Sequence, residues 1–125
     1  MSSTPMVVYE QWHDGGFMVS EANGHRSRDQ VTLSGGTKVL AGTVLGMVTA
    51  GGAFAPLNPA GSDGTQNAAG ILWGTKDVTA APAPATVVTR SCEVNASELI
   101  WPAGATPAQI TAATQQLTAL GIILR

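Results

Sequence analysis

Charge is scarce in this chain. Of its 125 residues only 11% are Asp, Glu, Lys or Arg, and the formal net charge at pH 7 is −2. The six basic residues are spread along the sequence rather than clustered, as they would have to be to displace counterions from phosphates, so nucleic acid is set aside as a partner. Cysteine is scarcer still: Cys92 stands alone, which excludes an internal disulfide framework and a cysteine-clustered metal centre. Aromatic residues make up 5%. No apolar run reaches the roughly 18 residues that a membrane helix needs. The start, "MSSTPMVVYEQWHD", has neither the basic opening nor the long apolar stretch of a secretory signal. These absences point to a soluble protein made in the cytoplasm, not exported by that route and without a membrane partner.

The chain is rich in small residues, with 19 Ala, 15 Gly and 14 Thr, whereas Leu, Ile, Val and Phe together supply 27. A chain of this length makes one domain that buries about two-thirds of its unfolded surface. Its core must be thin. A thin core under a weakly charged surface implies that some apolar area is covered by copies of the same chain or by another protein.

Residues 1–30 differ from the rest. They hold six of the fourteen charged residues, both histidines, and turn signals at Gly15-Gly16 and Asn23-Gly24. They read as an N-terminal arm, flexible when free, ahead of a domain spanning 31–125. Within the arm, "MVVYEQW" (6–12) is rich in β-branched and aromatic residues and has the composition of a strand that forms on a partner.

From Gln30 onward, short strands alternate with glycine turns: "QVTLS", then "KVLAGTVLGMVT", then "AFAPL". Gly42 and Gly46 inside the second run predict bends or close backbone approach. A loop over 58–67 precedes the apolar strand "AGILWG" (69–74). The alternating Ala and Pro of "TAAPAPAT" (79–86) argue against a ladder or a helix interior, so this segment is expected to be an exposed loop. "VVTRSCEV" (87–94) reads as one half-buried strand. The clearest helix follows "ELIWP": Thr106 as N-cap, Pro107 in the first turn, Gln109 completing a capping box, Ile110, Ala113, Leu117 and Leu120 at helical spacing, and Gly121 as the stop. "IILR" exits as a closing strand. Between Glu98 and Arg125 lie 26 residues without a charge, so the outer face of this helix is either plain neutral surface or an interface.

Catalytic groups are hard to assemble. Cys92 with His13 or His25 is the only cysteine–histidine combination, and both histidines sit in the arm, far from Cys92 in sequence. An inert, buried thiol is the better reading. Glu10, His13, Asp14 and His25 lack the spacing of a metal site, and the glycines of "GTVLG" and "SGG" lack the Lys-Ser/Thr of a phosphate loop. No catalytic residue, metal or cofactor is assigned, and the chain is not read as an enzyme.

The succession "GGFMVSEANGHRSRDQVTLSGG", "LAGTVLG", "AAGILWG" and "LIWPAGATPAQITAATQQLTALGI" resembles the head decoration proteins of tailed bacteriophages, the lambda-type D family. The resemblance covers nearly the whole chain and is most specific in the tail, from Trp101-Pro102 through the helix to Gly121-Ile122; the arm is longer and differently composed. It implies a mainly β fold with a small α part, a compact β-clip-like domain with one C-terminal helix and a flexible N-terminal arm. It implies a homotrimer on the outer capsid surface of the virion that stabilises the expanded head. The arm then adds a strand to the major capsid protein, which places Met6, Val7, Val8, Tyr9 and Trp12 in contact with the capsid.

Trp73, Trp101, Pro102, Ile110, Leu117 and Leu120 are assigned to the core or the trimer interface. Pro102 holds Trp101 extended, so its ring is a fixed apolar anchor. For both Trp73 and Trp101 a place in the domain's own core is preferred, because a small core needs large pieces. The alternative function is a β-clip-like module that binds a small ligand or sugar on Tyr9 and Trp12.

Overall fold

The computed structural model describes residues 14–125. Among the described residues, ten strands and one α-helix follow one another. Strands β1 (Met18–Glu21), β2 (Arg28–Leu33), β3 (Lys38–Val39), β4 (Val44–Met47) and β5 (Phe54–Pro56) occupy the first half. They are followed by β6 (Ala68–Leu72), β7 (Lys76–Asp77), β8 (Ala83–Val88), β9 (Cys92–Val94), helix α1 (Pro107–Ala119) and β10 (Ile122–Leu124). The fold is mainly β with one C-terminal helix, as the sequence predicts.

Five strands close into a barrel in the order β2-β5-β4-β6-β8. A three-stranded sheet, β1-β9-β10, lies beside it, with β9 antiparallel to β1 and parallel to β10. Strand alternation explains how so few large side chains serve both parts. Leu45, Leu72 and Val87 point into the barrel with Leu33, Phe54 and Ala85. Their chain neighbours Val44, Ile71 and Val88 point the other way, into a second cluster with Phe17, Cys92, Leu117 and Ile122. The dipeptides Val44-Leu45, Ile71-Leu72 and Val87-Val88 are therefore buried on both faces, the pattern of strands covered on each side.

Gly42 and Gly46 do what their positions predict. A Cβ on Gly42 would stand 2.8 Å from the Glu98 carbonyl oxygen, and one on Gly46 would stand 2.6 Å from the Thr65 backbone. The run around them is two strands, β3 and β4, with the bend at 41–43 between them.

Helix α1 begins where the sequence places it. The Thr106 hydroxyl accepts from the Gln109 N–H at 3.2 Å, and the Gln109 side chain accepts from the Thr106 N–H at 2.9 Å, so two otherwise orphaned donors are satisfied. Ala113 and Leu117 are buried beneath it. On its outer surface, the hydroxyls of Thr111, Thr114 and Thr118 donate to the carbonyls four residues earlier, so a face without charge still has these hydroxyls partnered. Gln116 ties the helix to the barrel, accepting from the Ala68 N–H and donating to Asn67 Oδ1, each at 2.8 Å.

Three expectations are corrected. The segment 79–86 contains most of β8, which pairs antiparallel with the whole of β2, Pro84 lying opposite Thr32. Pro84 is tolerated because β6 runs beside β8 only at Val87 and Val88, so the missing N–H is not required by a second neighbour. "VVTRSCEV" is not one strand: β8 ends at Val88, the chain turns a corner through Ser91 at φ 54°, and β9 starts at Cys92 in the other sheet. The boundary drawn at residue 30 falls inside β2, and Phe17 is buried in the second cluster, so residues 14–30 are part of the folded body.

Candidate functional site

Asp14 and Gly15 pack at one well-defined place on the body. The Gly15 N–H donates to the Trp73 carbonyl at 2.9 Å, and Asp14 lies against Gly74, whose Cβ, if present, would meet the carboxylate at 2.8 Å. Gly15 has φ +66°, and a Cβ there would stand 2.5 Å from the Trp73 ring. Only glycine lets the backbone lie this close to the indole. Phe17, two residues on, meets the same indole edge-on, with ring centroids 6.3 Å apart.

A face of Trp73 is covered by a cation. The Arg28 guanidinium sits 3.6 Å from the ring centroid, held there by Glu21, whose carboxylate accepts from Arg28 Nε at 2.9 Å. The Glu21 hydrogen bond raises the Arg28 pKa further above its ordinary value, so the charge over the ring is permanent. Asp14 and Gly15 are thus held against the body by a clamp built of Gly15, Phe17, Arg28 and Trp73.

The stretch between β1 and β2 is anchored beneath. The buried Ser27 hydroxyl donates to the Ser91 carbonyl at 2.9 Å and accepts from the Ala22 N–H at 3.0 Å. Asp29 pairs with Arg90 at the barrel rim; the Arg90 hydrogen bonds, with help from Thr89, hold its carboxyl below the usual range.

Exposed apolar groups gather elsewhere. Met47 and Leu120, 44% and 41% exposed, line an open groove of about 520 Å³ with Phe54, Ala69 and Ala119. No group of three or more His, Cys, Asp or Glu suited to a metal occurs among the described residues. Cys92 is buried, and desolvation, reinforced by the charge of Glu21, pushes its thiol up to about 11. The folded protein is therefore expected to resist thiol-alkylating reagents at about pH 8, where the thiolate is a minor species, and to react readily once denatured. Mass spectrometry before and after denaturation measures this, and rapid labelling of the native protein would contradict it.

The assigned side chains fall as follows. Met6, Val7, Val8, Tyr9 and Trp12 lie outside the described residues. Leu117 is buried in the domain's own core, while Trp73 and Trp101 are partly buried and pack against the same cluster. Trp101 is placed by its neighbour: the Ile100 N–H donates to the Gly42 carbonyl at 2.9 Å, and the Ile100 carbonyl accepts from the Val44 N–H at 3.1 Å. Pro102 and Ile110 are half-buried, and Leu120 is exposed. Sequence reasoning missed the clamp residues Gly15, Phe17 and Arg28. The signal that could have found them is Phe17, a rare large apolar residue directly after a Gly-Gly turn.

Two comparisons with known proteins bear on this arrangement. The family model described as Bacteriophage lambda head decoration protein D matches residues 7–122. No curated protein matches the chain.

Proposed function

The chain belongs to the bacteriophage lambda head decoration protein D family, and from that premise we propose that it binds the expanded phage head as a trimer and stabilises it through its N-terminal arm. Membership itself makes the chain a structural capsid decoration protein of the phage head, in a family that is not enzymatic. The trimer, the β-clip classification, the major capsid protein as partner and the strand added by the arm are the proposal.

The observation that carries it is the extent of the match, which begins at residue 7 and so takes in Val7, Val8, Tyr9 and Trp12 together with the body. The clamp at Trp73 supports the same reading, because a strand that must meet a sheet edge gains from a fixed starting point. Ordering a segment on a partner costs entropy. Three arms on one trimer offset that cost, since the first to dock raises the effective concentration of the other two. Tighter binding to the expanded lattice than to separated subunits then stabilises the lattice. Of the residues assigned to core or interface, Leu120 is the one exposed large side chain, and we assign it, with Met47, to the contact between copies.

The test is direct. Purified protein incubated with expanded heads should co-sediment with them, and its solution mass should be that of three chains. A monomer that stays in the supernatant would end the proposal.

A further inference from the structure

The chain contains four asparagines, at 23, 58, 67 and 95, and their surroundings divide them sharply. An asparagine loses its side-chain amide when the backbone nitrogen of the next residue attacks Cγ. That requires a following nitrogen that carries a hydrogen, is not committed to a hydrogen bond and is not crowded, and a side chain free to turn towards it. Three of the four fail. Asn58 precedes Pro59, whose ring nitrogen has no hydrogen to lose. Asn67 is held by Gln116 Nε2 at 2.8 Å, and the N–H that follows it, on buried Ala68, donates to Gln116 Oε1. Asn95 caps the short 3-10 turn Ala96–Glu98 by accepting from the Ser97 N–H and hydroxyl at 3.1 and 2.8 Å, and the Ala96 N–H donates to the Arg125 carbonyl.

Asn23 meets every condition. It is exposed, and it is followed by an exposed glycine with no heavy atom within 4 Å of where a Cβ would stand. Among the described residues, neither the Asn23 side chain nor the Gly24 N–H has a hydrogen-bond partner. The Asn23-Gly24 pair also differs from the usual two-residue hairpin turn. It joins β1 of the small sheet to β2 of the barrel, so no cross-strand ladder restrains it.

We propose that Asn23 is a selective site of spontaneous deamidation in the folded protein. The Gly24 nitrogen forms a bond to Asn23 Cγ, the Cγ–Nδ2 bond breaks, and the departing ammonia carries away the proton that the Gly24 nitrogen gives up, leaving a five-membered imide. Water then opens the imide at either carbonyl. One opening gives aspartate; the other gives isoaspartate, with the main chain rerouted through the side chain. The overall exchange is amide plus water for carboxylic acid plus ammonia, with no change of oxidation state.

The product carries one more negative charge than a chain whose formal net charge is −2. The change stays local, because the base of the segment is held independently by the buried Ser27 hydroxyl between Ala22 and Ser91. This protein thus acquires an age-dependent surface charge at one position while its fold persists.

The experiment incubates the full-length protein in mildly alkaline buffer and follows it by peptide mass spectrometry, isoelectric focusing and labelling with a protein isoaspartyl methyltransferase. The expected result is the deamidated mass and the methyl label on the peptide containing Asn23, with Asn67 and Asn95 unchanged while circular dichroism shows the fold intact. The Asn23→Gln variant should lose the label and the acidic band. An unmodified Asn23 over a period in which a free peptide of residues 20–26 converts would overturn the proposal, as would equal conversion of Asn67 or Asn95 in the folded protein.

Discussion

Removing residues 1–13 should lower affinity for expanded heads by about a hundredfold to ten-thousandfold while leaving the fold and the solution mass unchanged. The cut is set by the structure: Asp14 and Gly15 pack on Trp73 and Gly74, and Phe17 is the first member of either apolar cluster among the described residues. What is lost is the segment holding Met6, Val7, Val8, Tyr9 and Trp12, to which the proposed function gives the added strand on the capsid. The expected factor is large because in the proposed trimer three arms act together. Losing the linked attachments removes the gain in effective concentration as well as the contacts themselves. Each tenfold corresponds to about 1.4 kcal/mol, so the range is what a few unmade strand contacts and their linkage amount to. Sedimentation with expanded heads across a concentration series measures the loss, and light scattering on the truncated protein reads the mass. Undiminished binding would move the capsid contact onto the body and leave the clamp without a role.

How much of this was legible in the sequence depends on how local the cause was. Helix α1 was read to within a residue because its start is a reciprocal pair three positions apart, Thr106 and Gln109, with Pro107 between them. Gly42 and Gly46 announced close approach because a side chain at either would strike backbone. The failures are all matters of pairing across long sequence distance. Pro84 looks incompatible with a ladder until β6 is seen to stop short of it, and nothing near Pro84 in sequence says so. The corner at Ser91 was hidden because Val87 to Val94 alternates well enough for one strand, while the two ends belong to different sheets. The clamp was hidden for the same reason: Gly15 and Trp73 meet only once the barrel has closed. Six charges in residues 1–30 made that stretch look unfit for a core, yet Glu21 and Arg28 neutralise each other on the surface of Trp73, and Phe17 goes inside.

Trp73→Ala should cost about 3 kcal/mol of stability, a fall of about 10 °C in Tm, and should also weaken capsid binding by protein that remains folded. The stability part follows from what the indole touches: the edge of Phe17, the guanidinium of Arg28 and the backbone of Gly15. An aromatic pair contributes about 0.5–1.5 kcal/mol beyond its buried area, and a partly exposed cation over an indole about 0.5–1 kcal/mol, with the cavity supplying the rest. The binding part follows from position, since without the ring the chain at Gly15 has no surface to lie on and the arm must be ordered from a looser start. Gly15→Val separates the two effects. Its Cβ would fall 2.5 Å from the ring at φ +66°, so the backbone at residue 15 and the ring cannot keep their present approach, while the indole that meets Arg28 and Phe17 is retained. It should therefore lose less stability than Trp73→Ala yet lose comparable affinity, in sedimentation assays run well below both melting temperatures. If folded Trp73→Ala protein binds heads as the parent does, the indole serves only the domain's own core, and the direction in which residue 14 leaves the body has no part in attachment.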